Sequence, residues 1–273
     1  MLGEFLENVR KKAPLVHNIT NYVTVNDCAN ILIAAGASPI MTDDLDDAAQ
    51  ITAICAGLNI NIGTLNARTL PAMFAAGKRA NELSHIVLLD PVGVGASALR
   101  TDTAQGLLRE LRFDVIRGNS SEIKALALGG GMTKGVDADL ADAVTESTLE
   151  PAVGFAKEFA QKTGAVVVIT GALDIVADGS RACVVSNGHP MMGRITGSGC
   201  MLSALLTACA AANPGGVFMS AVAGVCAMGL AGELAFARMS EKDGNASYRN
   251  YLIDAVYNLT GSALEAGAKT KWA

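Results

Sequence analysis

Short apolar runs alternate along the chain with stretches of helical spacing, and turn residues separate the two. Leu15 to Thr20, Ser38 to Met41, Leu58 to Gly63, His85 to Asp90, Asp114 to Arg117 and Ala165 to Thr170 are the strand-like runs. Helical periodicity fills the intervals: Val25 to Ala35 (closed by Gly36), Asp46 to Ala53, Asn66 to Leu83, Thr101 to Arg112, Ser120 to Leu128 and Pro151 to Thr163. Most of the strands are apolar throughout. Such strands, each followed by a helix, predict an α/β fold with a mostly parallel central sheet and helices on both faces. The Leu58 to Gly63 run differs, alternating polar and apolar residues. Asp174 to Ala177 and Arg181 to Val185 flank Asp178-Gly179, the signature of an antiparallel edge hairpin. Three helices are expected to close the chain, and an acidic amphipathic helix to open it at Met1 to Glu7. No linker, repeat or low-complexity tract interrupts residues 1–273, which read as one domain.

Composition narrows this picture. Half of the 273 residues are hydrophobic (51%) and only 4% are aromatic, favouring close packing of small side chains over aromatic platforms. A net charge of -5 and the lack of any dense Lys/Arg run argue against nucleic-acid binding. The six cysteines (Cys28, Cys55, Cys183, Cys200, Cys209 and Cys226) form no C-x-x-C pair. They suggest neither a zinc site nor a disulfide framework, and fit a reducing, cytoplasmic setting. Met201 to Gly232 carries no charge, but Asn213-Pro214-Gly215-Gly216 interrupts it. Each half is short for a membrane span of about 20 apolar residues. Two packed core helices are expected, either within the subunit or at a subunit interface, and no membrane role.

Open α/β sheets bind ligands outside the carboxyl ends of their strands. Asn21, Met41, Gly63, Asp90, Arg117, Asn119 and Thr170 all fall there. Ile195-Thr196-Gly197-Ser198-Gly199-Cys200 precedes a helical run. Its two glycines and the helix terminus make an anion hole from Gly197, Ser198, Gly199 and Cys200. The alternative is a plain N-cap by Ser198 or Thr196. Cys200 in that first turn is expected to have a lowered pKa. Asp90 either holds Mg²⁺ or caps the turn after it. Glu122, in Asn119-Ser120-Ser121-Glu122, joins a capping box, a magnesium-water site with Asp90, or both. Arg117 clamps a phosphate or forms a surface ion pair. The Thr170 hydroxyl reaches a phosphate or caps a turn. His17 reads as a satisfied buried histidine, and Asp43, Asp44, Asp46 and Asp47 as charges favoured by a helix N-terminus. There is no P-loop motif, no complete dinucleotide fingerprint and no nucleophile elbow.

Seven segments occur in a fixed order: His17–Asn21, Gly36–Met41, Asn61–Leu65, Leu89–Gly93, Arg117–Ile123, Ile169–Gly171 and Thr196–Cys200. Together they closely resemble the hydroxyethylthiazole kinases of the ribokinase-like superfamily, over the span from about Pro14 through the helix after Cys200. The resemblance implies transfer of the ATP γ-phosphate to the primary hydroxyl of 4-methyl-5-(2-hydroxyethyl)thiazole in thiamine salvage. It also implies a homotrimer with active sites between subunits. By position, Met41 would contact the thiazole, with Asn21, Gly63 and Gly197 nearby. Arg117, Asn119 and Thr170 would bind ATP, Asp90 and Glu122 would serve Mg²⁺, and Cys200 would be the catalytic side chain. Ribokinase-like enzymes generally place an Asp base where this chain, like the thiazole kinases, has Cys200. Phosphoryl transfer has a loose transition state, so a strong base is dispensable. Two other readings stand beside this one: a kinase of the same fold acting on hydroxymethylpyrimidine, pyridoxal or a sugar, and a non-catalytic nucleotide-binding protein.

Overall fold

The computed structural model describes residues 2–129, 144–145 and 147–273. The first half is a run of strand–helix units. Its elements are α1 (Leu2–Lys12), β1 (Leu15–Ile19), α2 (Val25–Ala35), β2 (Ser38–Met41), α3 (Leu45–Ile54), β3 (Gly57–Asn61), α4 (Thr69–Glu82), β4 (Ile86–Asp90), α5 (Ala98–Glu110), β5 (Val115–Asn119) and α6 (Ser120–Gly129). After the undescribed stretch come α7 (Leu149–Thr163), β6 (Val166–Thr170), β7 (Asp174–Ala177) and β8 (Ala182–Val185). The chain ends with α8 (Ser198–Ala212), α9 (Val217–Ala237), α10 (Asn245–Asn258), α11 (Gly261–Gly267) and β9 (Thr270–Trp272).

The nine strands among the described residues form one sheet in the order β2-β1-β3-β4-β5-β6-β7-β8-β9. Strands β1 to β6 pair in parallel, and β6 through β9 pair antiparallel. The expected parallel sheet with an antiparallel edge hairpin is what forms. Two features depart from expectation: four α-helices rather than three follow the hairpin, and the terminal Thr270–Trp272 adds a further edge strand. That strand is only three residues long and carries two lysines nearby, too little pattern to announce itself.

Successive strand residues point to opposite faces. Leu88, Val166 and Val168 therefore pack with α1, α2 and α8–α11, while Val87, Leu89, Val167 and Ile169 pack on the other side with residues of α4–α7. Both faces are covered by helices, as a parallel sheet requires. α9 is long and apolar enough to cross a membrane, yet most of it is buried inside the fold. It packs on α1, α8, α10 and α11. The break between α8 and α9 falls at Asn213 to Gly216, where a turn of 3₁₀ helix starts on Pro214. Both expected core helices are thus present.

Candidate active site

The polar face of β3 explains its alternation. Leu58 and Ile60 enter the α4–α7 core, so Asn59 and Asn61 point the other way, toward α8. Asn61 is fully buried and uses its whole amide. Its Nδ2 donates to Asp90 Oδ2 at 2.8 Å and to Cys200 Sγ at 3.3 Å. Its Oδ1 accepts from Asn21 Nδ2 at 3.1 Å and from the Gly63 amide at 2.9 Å. Asn21 Nδ2 also donates to Cys200 Sγ at 3.2 Å, and Asn21 Oδ1 accepts from the Thr24 hydroxyl at 3.0 Å. Asn21, Gly63, Asp90 and Cys200, four of the expected site residues, meet on a residue that sequence reading left out of the site. The signal lay in the alternation itself, because a buried strand end has no structural need for an amide.

Gly197, before α8, adopts φ +85°, and a Cβ there would stand 2.5 Å from Thr24 Cγ2. Only glycine fits. Among the described residues no side chain caps the first turn of α8, so the alternative of a Ser198 or Thr196 cap does not form. The open amides of that turn and the helix dipole favour an anion. Arg117 lies across the same turn: a Cβ on Gly199 would come 2.5 Å from its Nη1. The guanidinium donates to Thr170 Oγ1 at 2.7 Å and faces Asp90 Oδ1 at 3.6 Å. It is a largely buried cation of the site, not a surface ion pair.

Asp90 is fully buried. Its Oδ2 accepts from Asn61 and, at 2.8 Å, from Ser203 Oγ of α8, while its Oδ1 has no hydrogen-bond partner. Burial pushes its carboxyl up to about 6, against the pull of Arg117. Glu122 forms the capping box: Oε2 accepts the Asn119 amide at 2.9 Å, and Asn119 Oδ1 accepts the Glu122 amide at 2.8 Å. Its Oε1 reaches across to the Gly93 amide at 2.9 Å. Among the described residues no group of three His, Cys, Asp or Glu converges as a metal site.

One expectation is overturned. The Cys200 thiol is raised, not lowered: burial and the Asp90 charge outweigh its hydrogen bonds to Thr24, Asn21 and Asn61. A helix N-terminus favours a thiolate, but not one desolvated beside a carboxylate. His17 behaves as expected, with both ring nitrogens bonded, to Thr52 Oγ1 at 2.8 Å and to the Thr42 carbonyl at 3.0 Å. Asp44 caps α3 by accepting the Asp46 amide, and Asp43 pairs with Arg68.

Two cavities open beside this polar cluster. One, of about 290 Å³, is lined by residues that include Asn18, Tyr22, Met41, Asn61, Thr64 and Arg68. The other, of about 500 Å³, is lined among others by Arg117, Thr170, Asp174, His189, Ser198 and Gly199. Asp174 accepts the Gly171 amide at 2.9 Å, and burial raises it to about 6. As the first residue of a hairpin strand it gave no earlier sign of belonging to a pocket. Asn119 and Glu122 line neither cavity; they anchor the strand ends beside them.

Comparison with known proteins shows the family of the chain. A sequence model of the Hydroxyethylthiazole kinase family matches residues 6–262. A relative from Clostridium acetobutylicum named hydroxyethylthiazole kinase is 61% identical over 269 residues, covering 98% of each chain. The structure of a hydroxyethylthiazole kinase protein from Pyrococcus horikoshii superposes with a TM-score of 0.88 at 34% identity, covering 100% of this chain and 98% of that one. A ribokinase-like superfamily protein from Enterococcus faecalis shares the fold alone, with a TM-score of 0.60 at 12% identity over 92% of this chain and 88% of that one. The chain belongs to the hydroxyethylthiazole kinase family.

Proposed function

We propose that this protein transfers the γ-phosphoryl group of ATP to the primary hydroxyl of 4-methyl-5-(2-hydroxyethyl)thiazole, yielding the thiazole phosphate for thiamine salvage. The observation that carries the reading is the position of Cys200, Asn21 and Asn61 beside both a small pocket and a larger one floored by a helix N-terminus. In this reading the smaller cavity takes the thiazole against Met41, and the larger takes ATP. The amides of Ser198, Gly199 and Cys200 receive the transferring phosphoryl group. Arg117, held by Thr170, neutralises its charge, which spreads over the phosphoryl oxygens in a loose transition state.

Cys200 orients the acceptor hydroxyl and does not act as a strong base. Its raised pKa keeps the thiol protonated at neutral pH. Two amide donors fix its sulfur in place, and the hydroxyl proton passes to a phosphoryl oxygen or to solvent late, once transfer is well advanced. Asp90 and Glu122 would serve Mg²⁺. The orphaned Asp90 Oδ1 and the spare lone pairs of Glu122 fit an ion that takes one or two carboxylates and completes its shell with phosphates and water. When bound, that ion neutralises phosphate charge. The chain acts as a single kinase domain in the cytoplasm, and as a homotrimer that completes the acceptor cavity. Tyr22 on the rim of that cavity is 78% exposed in the single subunit, as an interface residue would be.

The test is purified protein with ATP and Mg²⁺ against hydroxyethylthiazole, hydroxymethylpyrimidine, pyridoxal and ribose, following ADP and the phosphorylated product, with light scattering for subunit number. Product from the thiazole alone supports the reading. Product from another alcohol overturns the acceptor assignment, and ATP binding without product from any of them favours a non-catalytic nucleotide-binding protein.

A further inference from the structure

Arg100 stands at an unfavourable place for a cation, the first turn of α5, where the helix dipole disfavours positive charge. Among the described residues it forms no ion pair; its guanidinium is half-buried and turned onto three backbone carbonyls. Nη1 donates to the Ile62 carbonyl at 2.8 Å and to the Val92 carbonyl at 2.7 Å, and Nη2 donates to the Gly63 carbonyl at 2.7 Å. These carbonyls belong to the loops that leave the carboxyl ends of β3 and β4.

The other ends of two of those peptide groups are held as well. In the Ile62–Gly63 peptide, the carbonyl accepts from Arg100 while the amide donates to Asn61 Oδ1. In the Val92–Gly93 peptide, the carbonyl accepts from Arg100 while the amide donates to Glu122 Oε1. One guanidinium therefore sets the planes of two peptides whose opposite faces carry Asn61 and Glu122. Gly93 has φ +72°, and a Cβ there would stand 3.2 Å from Arg100 Cδ, so the loop is shaped around this side chain.

We propose that Arg100 is a positioning residue that locks the acceptor-side loop to the Glu122 side of the site. Resting on the function proposed above, the lock keeps Asn61 and the Thr64–Arg68 cavity wall in register with the groups that hold the phosphates. A helix-start residue with structural duty alone would anchor α5 and nothing else.

Arg100→Gln and Arg100→Lys test this through two readouts. The first is amide hydrogen exchange, which needs no activity. Arg100→Gln is expected to raise exchange at Gly63 and Gly93 together while the strands of the sheet stay protected, with Arg100→Lys intermediate. The second is steady-state kinetics. The kcat/KM for the acceptor alcohol is expected to fall about tenfold in Arg100→Gln, the scale of one lost hydrogen bond, with partial recovery in Arg100→Lys. If Arg100→Gln loses protection throughout the fold, the two readouts are taken from Arg100→Lys, with smaller changes of the same kind expected. Exchange rising at only one glycine, or at neither, overturns the lock. Exchange rising at both with unchanged kinetics overturns its role in positioning. A wild-type enzyme inactive on thiazole overturns the proposed function, and the exchange result then judges the lock by itself.

Discussion

Replacing Gly199 by alanine separates stability from function in a way few substitutions at this site do. The added Cβ would lie 2.5 Å from Arg117 Nη1, 2.6 Å from Nη2 and 2.9 Å from Cζ. No real contact is that short, so the guanidinium must move. The collision is with the end of a flexible side chain, and the backbone of α8 is untouched. Alanine also favours a helix over glycine by up to about 1 kcal/mol. The fold should therefore keep or slightly gain stability. Arg117, however, leaves its 2.7 Å bond to Thr170 and its station over the α8 amides. A hydrogen bond to a charged group contributes about 1.5–3 kcal/mol, which translates to a roughly 10- to 150-fold loss in kcat/KM for ATP. Arg117→Ala sets the ceiling, and Gly199→Ala should not exceed it. The assay is coupled ADP release at saturating thiazole alcohol, with thermal unfolding alongside. A Gly199→Ala enzyme with unchanged kcat/KM for ATP and wild-type Tm would refute the placement of Arg117 on the phosphates.

Cys200→Ala should lower kcat by roughly 10- to 100-fold through lost orientation of the acceptor; full turnover would remove Cys200 from the mechanism. In the native protein Cys200, half-buried where the other five cysteines are buried, should be alkylated first by iodoacetamide, at a rate still rising beyond pH 9 because its thiol is raised. Peptide mass spectrometry reads this, and a plateau near neutral pH would contradict the protonated thiol. Asn61→Asp sets a carboxylate against the Asp90 carboxylate and removes donors from Asp90 and Cys200; it should cost about 1–3 kcal/mol in urea unfolding. Burial lowers the pKa of His17. The unfolded chain then binds more protons than the native one, so stability rises with pH through this range and is lost as pH falls below about 6.5. The contribution of His17, measured against His17→Gln, should shrink between pH 7 and pH 5; a constant difference would show that the ring takes up its proton in the fold.

The sheet was legible because most of its parallel strands are apolar runs bounded by turn residues, and β3 alternates with a strand's period of two; neither pattern depends on distant contacts. Strand-end residues such as Asp90, Arg117 and Thr170 were legible for the same reason: topology alone sends them to the carboxyl end of the sheet, where open α/β sheets bind ligands. What stayed hidden depends on who lies opposite. The Cys200 pKa was misread because the helix terminus is visible in the chain, while the burial and the Asp90 charge that oppose it arise only when β4 and α8 meet. Glu122 carried two compatible readings, and the structure displays the capping one. Nothing in the sequence marks Arg100, which lies just before the expected Thr101 to Arg112 helix and falls inside α5 only in the structure. Its partners are backbone carbonyls, and these leave no mark on the side-chain pattern. Asp174 was obscured by its place in a hairpin.

In the proposed reaction the phosphoryl group passes from the larger cavity to the smaller one across the Asn21–Asn61–Cys200 cluster. A crystal structure with a non-hydrolysable ATP analogue, Mg²⁺ and hydroxyethylthiazole tests it most directly. The γ-phosphate is expected over the α8 amides beside Arg117, the thiazole against Met41, and its hydroxyl within hydrogen-bond reach of Cys200 Sγ. A thiazole bound elsewhere, or a γ-phosphate away from the Gly197–Cys200 turn, would contradict it.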